Sequence, residues 1–539
     1  MVTILSTILV IPTVFDQYED AFLLQPSRGV KCAPQFESVN MTFCVYTTTN
    51  GSEVPCDTWR VNLMWIFWIE RKWQIFCDQE MKLLSTTVIC RLGLVFGCIF
   101  FGVLSDSFGR RLAIIINIVA EVILRIALAF CTTESWYRLL VFLKALFASS
   151  NHYLELILVC EIASNSWRTL LTSIVLLPQL LSKICAIPAA NIALNQETYN
   201  FIAFLVGLIP LCLVRWIPES PQWLLYNRRI PLAEKNLVVA ANKNDVKLCS
   251  DFKIRPVDHR VGMARVKFIF KCDNAYVSLD EEWTCLSILS TRNVRVIVSS
   301  TILIWTLFHF VWAPTYIDMY RQQNKFMLLQ VLSMTVFMAV LNFGLAKKMK
   351  MRCLVILNVV VLGIASVFVI IAKRMCLNIL LIEFTAALGV ASGLVSYALL
   401  FNMTPRLLAL IARATLVGCC YSAGEIGTIT CYLLILYLQD LTVLILLVIA
   451  VLLVTTLCVV LPDVDARELP DTIRDMDYFS ELSKPLRWAT QKTNSPSYEE
   501  VEMRVHSFSS DANNSIIEHA PRPMGFFRLW YSLVKLFNR

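Results

Sequence analysis

About twelve apolar runs follow one another along this chain, each near the length of roughly 20 residues that a helix needs to cross a bilayer. They fall near 1–15, 83–104, 112–131, 137–159, 169–190, 199–217, 294–316, 326–346, 353–373, 376–401, 414–438 and 441–461. Inside hydrocarbon every backbone N–H and C=O must be satisfied internally, and runs of this length achieve that as helices. The expected class is therefore an all-α membrane protein of about 12 transmembrane helices. With 57% hydrophobic residues and a mean hydropathy of +0.63, a soluble globular fold is excluded.

An even number of spans leaves both termini on one side, and the Lys- and Arg-rich loops mark that side as cytoplasmic. The formal net charge of +8 then reflects orientation and inner-leaflet contact, and no nucleic-acid partner is expected. The first run starts at Met1 without a basic flank or a small-residue cleavage site, so it reads as a true span with a very short leader. The loop after it, about 25–82, holds Cys32, Cys44, Cys56 and Cys77 beside the glycosylation acceptors Asn40-Met-Thr and Asn50-Gly-Ser. Together they mark an extracellular, oxidising side with two disulfides, in any of three pairings.

The runs divide into an N-terminal six-helix bundle (1–217) and a C-terminal one (294–462), joined by a polar central loop, 218–293, with short helices. This is the layout of two repeated halves with a site near mid-membrane. A polar tail, 463–539, reads as mostly disordered and cytoplasmic. Near its end Phe526, Phe527, Trp530, Leu533, Val534 and Phe537 share one helical face, which suits either the inner leaflet or a cytoplasmic partner.

Four motifs narrow the class. Gly102-Val-Leu-Ser-Asp106-Ser-Phe-Gly109-Arg110-Arg111 is a tight turn between the second and third spans. Glu161 precedes Arg168 by seven residues at the end of the fourth. Pro218-Glu219-Ser220-Pro221-Gln222-Trp223-Leu224-Leu225 follows the sixth, and Leu461-Pro-Asp-Val-Asp-Ala-Arg-Glu-Leu-Pro-Asp-Thr-Ile follows the last. The first resembles the loop signature of the major facilitator superfamily of transporters. The others, with the Cys-bearing loop, resemble the organic cation, anion and zwitterion transporters (solute carrier family 22-like), of which this chain looks like a divergent member from about residue 1 to 473. The resemblance implies two pseudo-symmetric six-helix bundles. It also implies a gating charge set of Asp106, Arg110, Arg111, Glu161, Arg168 and Glu219, whose salt bridges hold the halves together on the inner face and break during the cycle.

Two features depart from that family. The chain has only 16 glycines, roughly 3% against an ordinary 7% or so. The second-half counterpart of the turn, Lys347-Lys-Met-Lys-Met-Arg352, has neither acid nor glycine. Both motivate an alternative, a non-transporting receptor or scaffold on the same fold.

Glu425, in Gly418-Cys-Cys-Tyr-Ser-Ala-Gly-Glu425, stands roughly 17 Å into the eleventh span at ~1.5 Å per residue, near the midplane. An intramembrane acid must face a cavity or a partner, so Glu425 is either a substrate counter-charge or the ion-pair partner of Lys183, Arg125 or Arg91. By the resemblance, an acid here goes with several cation carriers and an arginine with many anion and zwitterion carriers. Glu383 in the tenth span is a second such acid, close enough to the outer face to be hydrated. Trp305, Phe308, Trp312 and Tyr316 recur at i, i+3, i+7 and i+11 on the seventh span, as an ammonium-binding cage or as packing, with Trp312 and Tyr316 expected at the membrane interface. Glu121 and Arg125 are spaced to neutralise each other, and Arg138, Lys144 and Glu155 read as interhelical pairs. No nucleophile–base, metal or nucleotide-binding constellation stands out, so neither an enzyme nor a cofactor is expected. The leading reading is a plasma-membrane secondary transporter of small organic cations or ammonium-bearing zwitterions, with an organic anion carrier as the rival that depends on Arg91, Arg125 or Lys183.

Overall fold

Helices account for the apolar runs, and their breaks fall where the sequence turns polar or meets proline. The computed structural model describes residues 2–12, 15, 30–32, 38–41, 45–48, 53–55, 59–61, 80–190, 196–244, 255–257, 266–270, 273–277, 292–322, 325–346, 348–375, 378–438, 440–465, 469–470, 473 and 476. The first half contains α1 (Val2–Val10), α2 (Glu80–Phe108), α3 (Arg110–Ala129), α4 (Glu134–Ala148), α5 (Leu154–Ile162), α6 (Asn165–Ala190) and α7 (Gln196–Leu213). Two short helices follow, α8 (Pro221–Tyr226) and α9 (Ile230–Lys243). The second half contains α10 (Arg292–Gln322), α11 (Lys325–Ala346), α12 (Met351–Arg374), α13 (Ile379–Leu407), α14 (Arg413–Tyr437) and α15 (Asp440–Val460). Among the described residues eight helices are long and apolar enough to cross a membrane: α2, α3, α7, α10, α11, α12, α13 and α15. The remaining apolar runs coincide with α1, the pair α4–α5, α6 and α14.

Among the described residues, strands fall only in loop segments. β1 (Val30–Cys32) pairs with β5 (Trp59–Val61), while β2 (Ser38–Met41), β3 (Val45–Thr48) and β4 (Glu53–Pro55) form a second antiparallel sheet. In the central loop β6 (Arg255–Val257), β7 (Val266–Phe270) and β8 (Asp273–Val277) form a third, after the two short helices. Cys44, Cys56, Cys77, Asn50 and the tail from 477 lie outside the described residues, as do the side chains of Cys32 and Asn40.

The fourth apolar run, continuous by hydropathy, is broken. Ser and Asn side chains compete for backbone hydrogen bonds, and over Ser149–His152 the helix tightens to a 3₁₀ turn before α5 begins. All four residues are buried, so the break needs partners inside the bundle. Asn117 on α3 donates to Ser150 Oγ at 2.5 Å and to Asn151 Oδ1 at 2.6 Å, and Asn151 Nδ2 donates to Glu121 Oε2 at 2.6 Å. Glu121 also faces Arg125 at 3.7 Å on the same helix. Arg138 does not reach another helix; it pairs with Glu134 one turn away on α4, where both are partly exposed.

Packing follows helical stripes. On α3 the buried set Arg110, Ala113, Ile114, Asn117, Ile118, Glu121, Val122 and Arg125 keeps the three-four spacing of one face. A continuous apolar core joins both halves. Outward, Phe96, Ile123, Val340, Phe343 and Leu452 stay exposed, the lipid-facing surface of a membrane bundle.

Candidate functional site

The halves meet closely where α2 lies along α14, and small residues set the separation. Gly102 faces the backbone of Ala414 and Thr415, and Gly418 faces the Cys98 carbonyl. A methyl group on either would sit inside contact distance of that backbone. Asp106 closes the basic end of this seam. Its carboxylate accepts from Thr415 N at 2.8 Å, Thr415 Oγ1 at 2.7 Å and Ala414 N at 3.3 Å, an N-cap for α14 supplied by the other half. Toward mid-membrane the seam reaches an ion pair, in which Arg91 Nη1 donates to Glu425 Oε2 and both side chains are almost wholly buried. At ~1.5 Å per residue the seam from Arg91 to Asp106 is roughly 22 Å long.

Beside that pair stands a cluster of buried rings from four elements. Trp305 of α10 meets Phe401 edge-on at 4.8 Å, Tyr397 at 6.0 Å and Tyr421 at 6.1 Å between centroids. Phe308 stacks on Trp312 at 5.6 Å, and His152, from the break in the fourth span, stacks on Tyr421 at 5.2 Å. Hydrogen bonds fix the rings: Trp305 Nε1 donates to Thr404 Oγ1 at 2.9 Å, and Gln179 Nε2 donates to Tyr397 Oη at 2.6 Å while meeting His152 Nδ1 at 2.6 Å. Tyr397 and Tyr421 both lie within electrostatic reach of Glu425, and Tyr397 within that of Arg91. Rings, carboxylate and guanidinium thus share one region between the halves. Trp312 is buried there instead of marking the interface, because Gly393 leaves room for its indole. Glu383 is likewise buried, at 4% exposure, instead of hydrated. The side chain of Tyr316 lies outside the described residues, as does that of Lys183.

At the basic end the charge set comes together around Glu161. Its carboxylate meets Arg110 Nη2 at 3.0 Å and Arg413 Nη1 at 3.1 Å, so one acid binds an arginine from each half. Arg110 also pairs with Asp106 at 3.1 Å and donates to the Leu410 carbonyl at 3.3 Å. Arg168 turns to backbone, donating to the Cys160 carbonyl at 2.9 Å and the Ala163 carbonyl at 3.0 Å at the end of α5. Glu219 caps α3, accepting from Arg110 N at 2.9 Å and Arg111 N at 3.2 Å. Gly109, at φ 112°, makes the turn that brings those N–H groups to it, and its missing side chain leaves the carboxylate room. Burial pushes the Glu219 carboxyl above its ordinary value, and the N–H groups of Ser220, Arg110 and Arg111 with the Arg110 charge offset only part of that. Arg111 itself reaches the Arg215 carbonyl at 2.9 Å.

The second half obtains its missing acid from elsewhere in the chain. Asp465, beyond the last span, accepts from Met351 N at 2.7 Å and so caps α12, while Asp463 pairs with Lys350 at 2.6 Å. Burial alone would raise the Asp463 carboxyl, but the Lys350 hydrogen bond, the Asp465 N–H and the Lys350 and Arg352 charges hold it below the usual range.

A family model described as "Sugar (and other) transporter" matches residues 32–465. The chain belongs to this family. The chain is similar to solute carrier family 22 member 4 of Mus musculus, 23% identical over 240 residues that make up 44% of this chain and 41% of the relative. It is similar too to organic cation/carnitine transporter 2 of Rattus norvegicus, 22% identical over 46% of this chain and 42% of the relative. The matched stretches thus span about two fifths of these curated relatives' length. Among solved structures, the proton:xylose symporter XylE bound to 6-bromo-6-deoxy-D-glucose aligns with a TM-score of 0.58 at 13% identity, over 88% of this chain and 98% of that one. The chain therefore has the major facilitator fold, two six-helix bundles, and is similar over part of its length to members of solute carrier family 22. Its relatives and structural neighbours are transporters, not enzymes.

Sequence reasoning missed several residues of the central cluster: His152, Gln179, Tyr397, Phe401 and Tyr421. Tyr421 carried a signal, one turn before Glu425 on the same face. Arg413 was missed at the basic end, though an arginine opening an apolar span after a polar turn is itself conspicuous.

Proposed function

We propose that the chain is a transporter that moves small organic cations, or zwitterions with an ammonium head, across the plasma membrane by alternating access. The observation that carries this reading is a buried mid-membrane carboxylate, Glu425, lying on the seam between the halves and beside a ring cluster. An ammonium would sit against Tyr421, Tyr397 and Trp305, each ring contributing about 0.5–2 kcal/mol by cation–π attraction, with Glu425 as counter-charge. Glu383, Phe308, Trp312 and Tyr316 complete the proposed binding set. An inside-negative potential favours inward cation movement by about 2.3 kcal/mol per charge per 100 mV. The bundles 1–217 and 294–462 would rock about the site. The Asp106–Thr415 cap and the Arg110–Glu161–Arg413 bridge would hold the inner face shut in one state and release it in the other. Glycans on Asn40 and Asn50 and disulfides among Cys32, Cys44, Cys56 and Cys77 would belong to the extracellular loop, and the tail helix to the inner leaflet or a cytoplasmic partner.

The test is potential-dependent uptake of tetramethylammonium, glycine betaine and benzoate by the full chain in sealed vesicles. We expect tetramethylammonium uptake that Glu425→Gln abolishes; uptake indifferent to that change sinks the role of Glu425. Arg91, inside the site, favours the anion carrier as second reading, which predicts benzoate uptake lost in Arg91→Gln and kept in Glu425→Gln. A correctly inserted chain that moves none of the three supports the non-transporting reading instead.

A further inference from the structure

We infer that Arg91 determines substrate specificity by occupying the substrate's place: a cation binds by displacing the Arg91 guanidinium from Glu425, and that exchange loosens the α2–α14 seam. The inference rests on the cation reading above.

The pair is almost fully buried, and its two partners belong to opposite halves. A carboxylate and a guanidinium in contact are together neutral. A third charge brought against them in a weakly screened interior leaves one positive charge uncompensated, which is costly. A cationic substrate and Arg91 therefore compete for Glu425. Each cation that binds first gives up the free energy of separating the resident pair, so Arg91 lowers apparent cation affinity and rejects weak cations. A zwitterion differs, since its own carboxylate meets the displaced guanidinium bidentately.

The same exchange acts on the seam. Below Glu425 the two helices are held by backbone approach at Gly418 and Gly102 and by the Asp106 cap. Arg91–Glu425 is the charged link at the mid-membrane end. A ligand that takes over Glu425 removes that link, so substrate occupancy and separation of the halves draw on one interaction.

The experiment compares two probes with the same quaternary head, tetramethylammonium and glycine betaine, by equilibrium binding to the purified full chain. In Arg91→Gln we expect tetramethylammonium to bind about tenfold more tightly than to wild type, and betaine no more tightly or less so. Arg91→Lys keeps the charge but loses the planar fork, and should tighten tetramethylammonium by roughly threefold. That variant decides the matter if Arg91→Gln does not fold. Unchanged or weakened tetramethylammonium binding, or both probes tightening equally, overturns the inference. A merely structural Arg91 would move both probes in the same direction. Wild-type flux judges the cation reading separately: flux with an unchanged binding ratio overturns this inference alone. Tightened binding without flux overturns the transport reading alone, and no binding in any variant overturns both.

Discussion

Asp106 performs for α14 the task of a residue just ahead of a helix, but from the opposite half of the molecule. Its substitution should therefore weaken the interface as well as the helix. Asp106→Ala is expected to destabilise by about 1–2 kcal/mol, and Asp106→Asn, which keeps an acceptor, by less. Thermal unfolding of the purified variants checks the order, and equal losses would remove the retained acceptor from the account and leave only the charge. The Arg91–Glu425 pair makes the same point about what a sequence discloses. An acid eleven residues into an apolar run is legible at once, because its solvation cost demands an explanation. Which of Lys183, Arg125 and Arg91 answers it is not legible, because no local pattern states which face of α2 turns toward α14.

Scarce glycine motivates the non-transporting alternative. Yet Gly93, Gly97, Gly102, Gly418 and Gly427 stand where the backbone of a neighbouring helix comes close. Gly418→Ala would put a methyl group 2.3 Å from the Cys98 carbonyl oxygen, which must push α2 and α14 apart. We expect it to cost about 1–3 kcal/mol. Gly344→Ala, with nothing near the added atom, should be neutral or stabilising by up to about 1 kcal/mol. Melting temperatures of the two variants in one detergent test the contrast, and equal effects would remove the close approach as the cause. The helices themselves were readable from hydropathy, since apolar length is what a bilayer selects. The 3₁₀ turn at Ser149–His152 was not, because a window average over 137–159 conceals four polar residues, of which Ser150, Asn151 and His152 find partners on α3 or α6.

On the scale of the whole molecule each half repeats one device: the turn between its second and third spans is tied down by acid from the segment leaving its last span. The motifs on either side were visible in the sequence, but the second-half turn looked incomplete because its acids lie more than a hundred residues away. Asp463 makes the device testable by pH. Its carboxyl is held below the ordinary value in the folded chain, so its stabilisation is complete at neutral pH and lost as pH falls through that lowered value, below about 4. Lys350 is 54% exposed, which limits the effect to about 1 kcal/mol or less. Asp463→Asn should therefore melt slightly below wild type at pH 7, with the gap shrinking as pH falls below about 4; a gap undiminished in acid would refute the charge argument. The device also orders events during translation. Glu219 emerges from the ribosome directly after the sixth span, so the first half can fasten its own turn while the second is still being made. Lys348, Lys350 and Arg352 emerge long before Asp463 and Asp465, and must wait as bare positive charge until the final span has followed them. A premature stop ahead of Asp463 would release a molecule with one half fastened and the other open.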